Sequence, residues 1–102
     1  MDLRAVGGPL PQLVWTAPGD DYMVGKADRY DVRWSSQPIT ASSFWSATPL
    51  AGAPAPQPAG SPQSMAVGRV SGSPVYFAIR TVDMAGNISA LSNVACMGRC
   101  RT

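Results

Sequence analysis

Short runs that alternate apolar with polar residues recur along the chain, each closed by Gly, Pro, Ser or Asp. Successive side chains of a strand point to opposite faces, so such runs predict strands with one buried and one wet face. Leu3 to Val6 reads as a short first strand, and Gln12 to Thr16 as a second with Leu13 and Trp15 on one face. Arg29 to Ser35 is a third, with Tyr30, Val32 and Trp34 set against Asp31 and Arg33. Phe44 to Leu50 alternates less well and is a weaker fourth. Ser64 to Val70 is a fifth, carrying Met65 and Val67 inward. Val75 to Val82 has the strongest pattern, with Val75, Phe77 and Ile79 facing one way and Tyr76, Ala78 and Arg80 the other. Leu91 to Cys96 closes the set. One wet face per strand is the mark of antiparallel sheets rather than of a doubly covered parallel one. Two such sheets packed face to face are the expected all-β architecture.

Composition agrees with that pattern. All six acidic residues are Asp, only one Lys is present, and there are ten Gly and ten Pro, so helix formers are scarce and turn formers abundant. A chain of 102 residues fits one domain with one core, here residues 1–102, of which 97–102 read as a tail or the start of a linker. Ala51 to Gln63, rich in Pro and Ala, is expected to be a long surface loop, because too few strands lie on either side of it to make an independent domain. The net charge of +2 comes from scattered arginines without a basic run, which sets nucleic acid aside. No apolar stretch approaches the ~20 residues of a membrane span, and no charged-then-apolar signal segment opens the chain. Met1 directly before a strand reads as a start added to a domain cut from something longer.

Leu13-Val-Trp15, then Pro18-Gly-Asp-Asp21, then Tyr30-Asp-Val-Arg33, then the run from Val75 to Asn93 together resemble a fibronectin type III domain over nearly the whole chain. More narrowly, the tryptophan strand followed by Pro-Gly-Asp-Asp and Tyr-x-x-Arg is similar to the variant of secreted bacterial proteins and of the C-terminal end of calcium-activated chloride channel regulators. The resemblance implies an immunoglobulin-like antiparallel β-sandwich of about seven strands, with a core of Trp15, Tyr30, Val32, Phe77 and Ile79. Val70 would stand where the family has a leucine, and Val75 where many members have a tyrosine whose hydroxyl ties down a corner. A valine cannot make that bond, so the corner is left to packing and to Pro74. The same topology gathers the loops Pro18 to Asp28, Ala51 to Gln63 and Asp83 to Ser89 at one end.

Catalysis finds little footing, because the chain has no His and no Glu and neither Cys has a base near it in sequence. Asp20, Asp21, Asp28, Asp83 and Asn87 offer hard oxygen ligands for calcium from two loops that the fold would bring together. Their spacing matches no dedicated calcium loop, and Pro-Gly-Asp-Asp is equally the chemistry of a plain turn. No other cofactor is implied. Asn87-Ile88-Ser89 is an acceptor triplet for N-glycosylation, against the alternative that Gly86-Asn87 is a tight turn and the triplet arose by chance. Cys96 and Cys100 could close a small disulfide loop, pair with a neighbouring domain, or leave Cys96 as an inert thiol; with no His, zinc is not expected. Arg33, Tyr76 and Arg80 would share an outward face with Asp31, either stabilising it or serving as a partner surface, and Trp45 beside Phe44 is a candidate for stacking on a partner or a sugar ring.

The expectation is a non-catalytic extracellular module of a larger secreted or surface protein, acting in spacing, adhesion or protein–protein interaction. Its partners would be other domains of the parent or an extracellular protein, with carbohydrate as a further class and neither nucleic acid nor membrane insertion. The alternative is an accessory substrate- or matrix-binding domain of a secreted hydrolase or channel-regulator-type metalloprotease, with or without calcium.

Overall fold

The computed structural model describes residues 2–7, 10–17, 29–58, 60–68, 74–82, 86–89 and 91–98. Among these the alternating runs become strands: β1 (Arg4–Val6), β2 (Gln12–Thr16), β3 (Arg29–Ser35), β4 (Thr48–Pro49), β5 (Pro62–Ala66), β6 (Val75–Val82) and β7 (Ala95–Met97). They form two antiparallel sheets, β1-β2-β5 and β4-β3-β6-β7. The fourth strand pairs with β3, whereas a constant-type immunoglobulin domain places its fourth strand in the opposite sheet.

Period two puts Leu13 and Trp15 of β2 beside Met65 and Gln63 of β5, and Val32 and Trp34 of β3 beside Ile79 and Phe77 of β6. The inner faces meet in one cluster of Leu3, Leu13, Trp15, Tyr30, Val32, Met65, Val67, Val75, Phe77, Ile79 and Ala95. The five expected core residues are all in it. Trp15 and Tyr30 join the two sheets through an edge-to-face contact with ring centroids 5.3 Å apart. Each fully buried side chain of this size contributes about 1.5–3 kcal/mol by leaving water.

Four expected strands differ in extent, the first only in beginning at Arg4 instead of Leu3. Phe44 to Leu50 is a 3₁₀ turn, Ser43–Ser46, followed by the two residues of β4. The cause is local: the Thr40 N–H donates to Ser43 Oγ at 2.8 Å, the Ser43 N–H to Thr40 Oγ1 at 3.1 Å, and the Phe44 N–H to the Thr40 carbonyl at 2.9 Å. Reciprocal hydroxyl–amide bonds of this kind offer the backbone an alternative to the ladder. β5 begins and ends earlier than its apolar pattern suggests; Val67 still points inward, but Gly68 at φ +71° turns the chain where an ordinary residue would be strained. Val70 lies outside the described residues. The last strand is only Ala95–Met97, and before it Ser92 meets β6 partly through its side chain.

The ends of the strands define two poles. Thr16 opposes Pro62, Arg29 opposes Val82, and the Trp15–Tyr30 contact ties these strand ends together at one pole. Val6 opposes Gln12 and Val75 opposes Met97 at the other. Before β1, Asp2 accepts the Thr16 N–H at 2.9 Å at the first pole. The hydroxyl of Thr16, and then its backbone N–H, hold the Asp2 carboxyl below its usual value.

Candidate functional site

The outer face of β3 and β6 carries Asp31, Arg33, Tyr76, Ala78 and Arg80, with Asp31 opposite Arg80 and Arg33 opposite Ala78. The expectation of a wet face here fails. Ala78 has no exposed surface, and it packs with Ile39, Phe44 and Ala47 in a second small cluster that Tyr76 and Leu91 flank. The segment that forms the 3₁₀ turn folds back over the sheet and inserts Phe44 as a plug.

Two arginines fasten that turn. Arg33 and Asp31 lie two apart on one strand and so on one face; the guanidinium meets the carboxylate through Nε at 3.0 Å and Nη2 at 3.2 Å. Its Nη1 donates to the Trp45 carbonyl at 3.2 Å and reaches that of Ala47 at 3.5 Å. Arg80 donates from Nη1 to the Ser89 carbonyl at 2.9 Å and from Nη2 to that of Ala41 at 3.1 Å. Both guanidinium carbons lie near the two aromatic rings of the turn, at 5.0 and 5.3 Å for Arg33 and 5.1 and 5.1 Å for Arg80 from the centroids of Phe44 and Trp45. These distances are within cation–π range. Phe44 and Trp45 contact each other edge to face, yet they part company in burial: Phe44 is core and Trp45 is 48 % exposed. The four residues expected to share a face do so, with Tyr76 packed on the plug and Trp45 outermost.

At the first pole a second polar device was not foreseen. Gln63, in phase with Met65, points inward; its Oε1 accepts the Tyr30 hydroxyl and the Gln57 N–H at 3.4 Å, while its Nε2 donates to the Ala55 carbonyl at 2.9 Å. One amide thus holds the Pro-rich loop, whose Pro56 is buried, against the core. Burial pushes the Tyr30 phenol above its ordinary pKa. Where the resemblance implies a tyrosine at 75, the buried Val75 packs, and the hydroxyl that ties down a loop belongs to Tyr30 at the other pole.

The stretch from Ile88 to Asn93 uses side chains in place of a ladder. Ser89 gives its N–H to the Thr81 carbonyl at 2.9 Å and accepts the Thr81 N–H on Oγ at 2.9 Å. Ser92 does the same with Ile79 at 3.0 and 2.9 Å. Ser89 and Ser92 are three positions apart where their partners Thr81 and Ile79 are two apart, so one segment carries one residue more than the other, the count of a bulge. Asn93 clamps the first strand, accepting the Leu3 N–H and donating to the Leu3 carbonyl, both at 2.8 Å. The serine of the Asn87-Ile88-Ser89 triplet therefore has a structural task of its own. Asn87 is exposed, and Gly86 takes the left-handed turn position at φ +87°. Asp20, Asp21, Asp28 and Asp83 lie outside the described residues, and among the described residues no group of acidic, Cys or His side chains could hold a metal. Cys96 is disulfide-bonded; Cys100, the other cysteine of the sequence, is outside the described residues.

Among the described residues no helix is long and apolar enough to cross a membrane. No family model matches the chain, and no solved structure matches it. The chain is similar to calcium-activated chloride channel regulator 4 of Homo sapiens, 32% identical over 90 residues that cover 81% of this chain and 10% of that protein. It is also similar to calcium-activated chloride channel regulator 1 of Equus caballus and of Sus scrofa, in each case 57% identical over 37 residues that cover 34% of this chain and 4% of the relative. The chain thus spans a tenth or less of the length of these curated relatives. The likeness supports that family of regulators.

Proposed function

We propose that this chain is a non-catalytic, fibronectin type III-like module of a larger extracellular protein, acting as an in-line spacer that also offers one face to a protein partner. The observation that carries the spacer part is the placement of the first and last strands. Asp2 and the start of β1 are tied to Thr16 at one pole, and β7 ends beside Val75 at the other. Segments joined to the two ends would leave in opposite directions. The similarity to regulators many times its length supports a part within a larger protein. The seven-strand, two-sheet order supports the fibronectin type III reading.

The partner-binding part is favoured by Trp45, an exposed tryptophan held on two arginines, because tryptophan and arginine dominate the energetic centres of protein interfaces. A spacer should fold without its neighbours. The unfolding midpoint in denaturant should therefore be the same for this chain alone and for the same residues within the longer protein. A midpoint that rises by a large fraction inside the longer protein would instead make the domain an accessory unit packed on its neighbours.

A further inference from the structure

The two arginines of the outer face are not equivalent. Arg33 has a carboxylate partner in Asp31. Among the described residues Arg80 has none: its Nη1 and Nη2 each donate to one neutral backbone carbonyl, and its Nε is buried without a hydrogen-bond partner. The Asp31 carboxylate opposite Arg80 is bonded to Arg33, and hydrogen bonds to neutral dipoles alone are an expensive arrangement for a charge drawn partly out of water. Each Nη nitrogen carries two hydrogens and uses one, so a donor remains on both.

Apolar surface lies on two sides of this cation. The exposed Trp45 ring has its centroid 5.1 Å from the Arg80 guanidinium carbon. Ile88, 50 % exposed, is bridged to Val82, two residues beyond Arg80 on β6 and on the same face. Next to it, Ser89 supplies the carbonyl that Arg80 already holds. The stripe therefore reads apolar, cationic, apolar, and among the described residues the charge in its middle is in no ion pair.

We propose that this stripe docks an acidic peptide segment, in which an Asp or Glu carboxylate accepts the remaining N–H donors of Arg80 and neighbouring apolar side chains cover Trp45 and Ile88. The charge complementarity fixes the acid. The flanking indole and Ile88 fix the apolar neighbours and separate this partner from a uniformly charged polymer. The proposal rests on the partner-binding part of the function above and is independent of the spacer part.

The test is selection of a random peptide library displayed on phage against the full 102-residue chain, followed by binding of the enriched peptides to variants. Enrichment of Asp or Glu beside aromatic or branched aliphatic residues is expected, with affinity falling about tenfold or more in both Arg80→Gln and Trp45→Ala. Arg80→Lys keeps the charge and should retain part of the binding. Trp45 is exposed, so Trp45→Ala should keep the native dispersion of amide NMR signals; its loss of binding would then not reflect unfolding. Enriched peptides without acids that still depend on Trp45 would overturn the acidic partner while leaving the face a binding surface. Acidic peptides that bind Arg80→Gln and Trp45→Ala as tightly as the native chain, or no enrichment at all, would overturn both.

Discussion

Trp15 and Tyr30 show how much of this fold rests on single side chains that face both sheets. Trp15 has almost no exposed surface, and its ring meets that of Tyr30 from the opposite sheet. Truncation of Trp15 to Ala removes that bridge and leaves a cavity that the surrounding strands cannot fully close, so equilibrium denaturation should show a loss of about 3–5 kcal/mol. A loss under about 1 kcal/mol would mean that the indole is not core. Tyr30 adds a pH dependence. Its phenol is neutral when it donates to Gln63, and burial raises its pKa above 10.0. A group whose folded pKa is raised contributes stability that is present in full below the unfolded value and is lost as pH rises through the folded value. The native chain should therefore lose stability above pH about 10, and Tyr30→Phe should lose less over the same window in denaturation measured at neutral and alkaline pH.

At the level of elements, the alternating runs of β2, β3 and β6 were legible in the sequence to the residue, because a half-buried strand writes its period of two directly into the side chains. The segments that were not legible are those in which side chains replace backbone partners. Thr40 and Ser43 convert the adjacent Phe44 and Trp45 from an expected strand into a turn, and one of the pair becomes a plug for a face that alternation alone assigns to water. The two adjacent aromatics, out of phase with a strand, were the available signal. Ahead of β7, Ser89 and Ser92 likewise give hydroxyl oxygens to β6 where the carbonyls of a strand would stand. Ser92→Ala leaves the Ile79 N–H without its acceptor. It should cost about 1–3 kcal/mol and raise hydrogen exchange at the Ile79 amide more than at Val32, its neighbour across the sheet. Equal protection at Ile79 in the variant would mean that the ladder does not depend on the hydroxyl.

For the whole molecule, the functional reading depends less on any cluster than on where the chain enters and leaves. The shared face of Arg33, Tyr76 and Arg80 was legible because β3 and β6 were expected to be neighbours and period two then aligned these residues, whereas Trp45 was singled out only as an aromatic beside Phe44. The architecture of the face was not legible, since the carbonyls that the two arginines hold, those of Ala41, Trp45, Ala47 and Ser89, belong to other segments of the chain. The placement of the ends follows from strand order alone and is the feature that a spacer needs. The most direct measurement is small-angle X-ray scattering on two copies joined head to tail through a short linker. Ends at opposite poles predict an elongated particle whose maximum dimension is about twice the 39 Å long axis of one copy. A particle little longer than one copy, with the two domains side by side, would contradict the in-line arrangement and the spacer function with it.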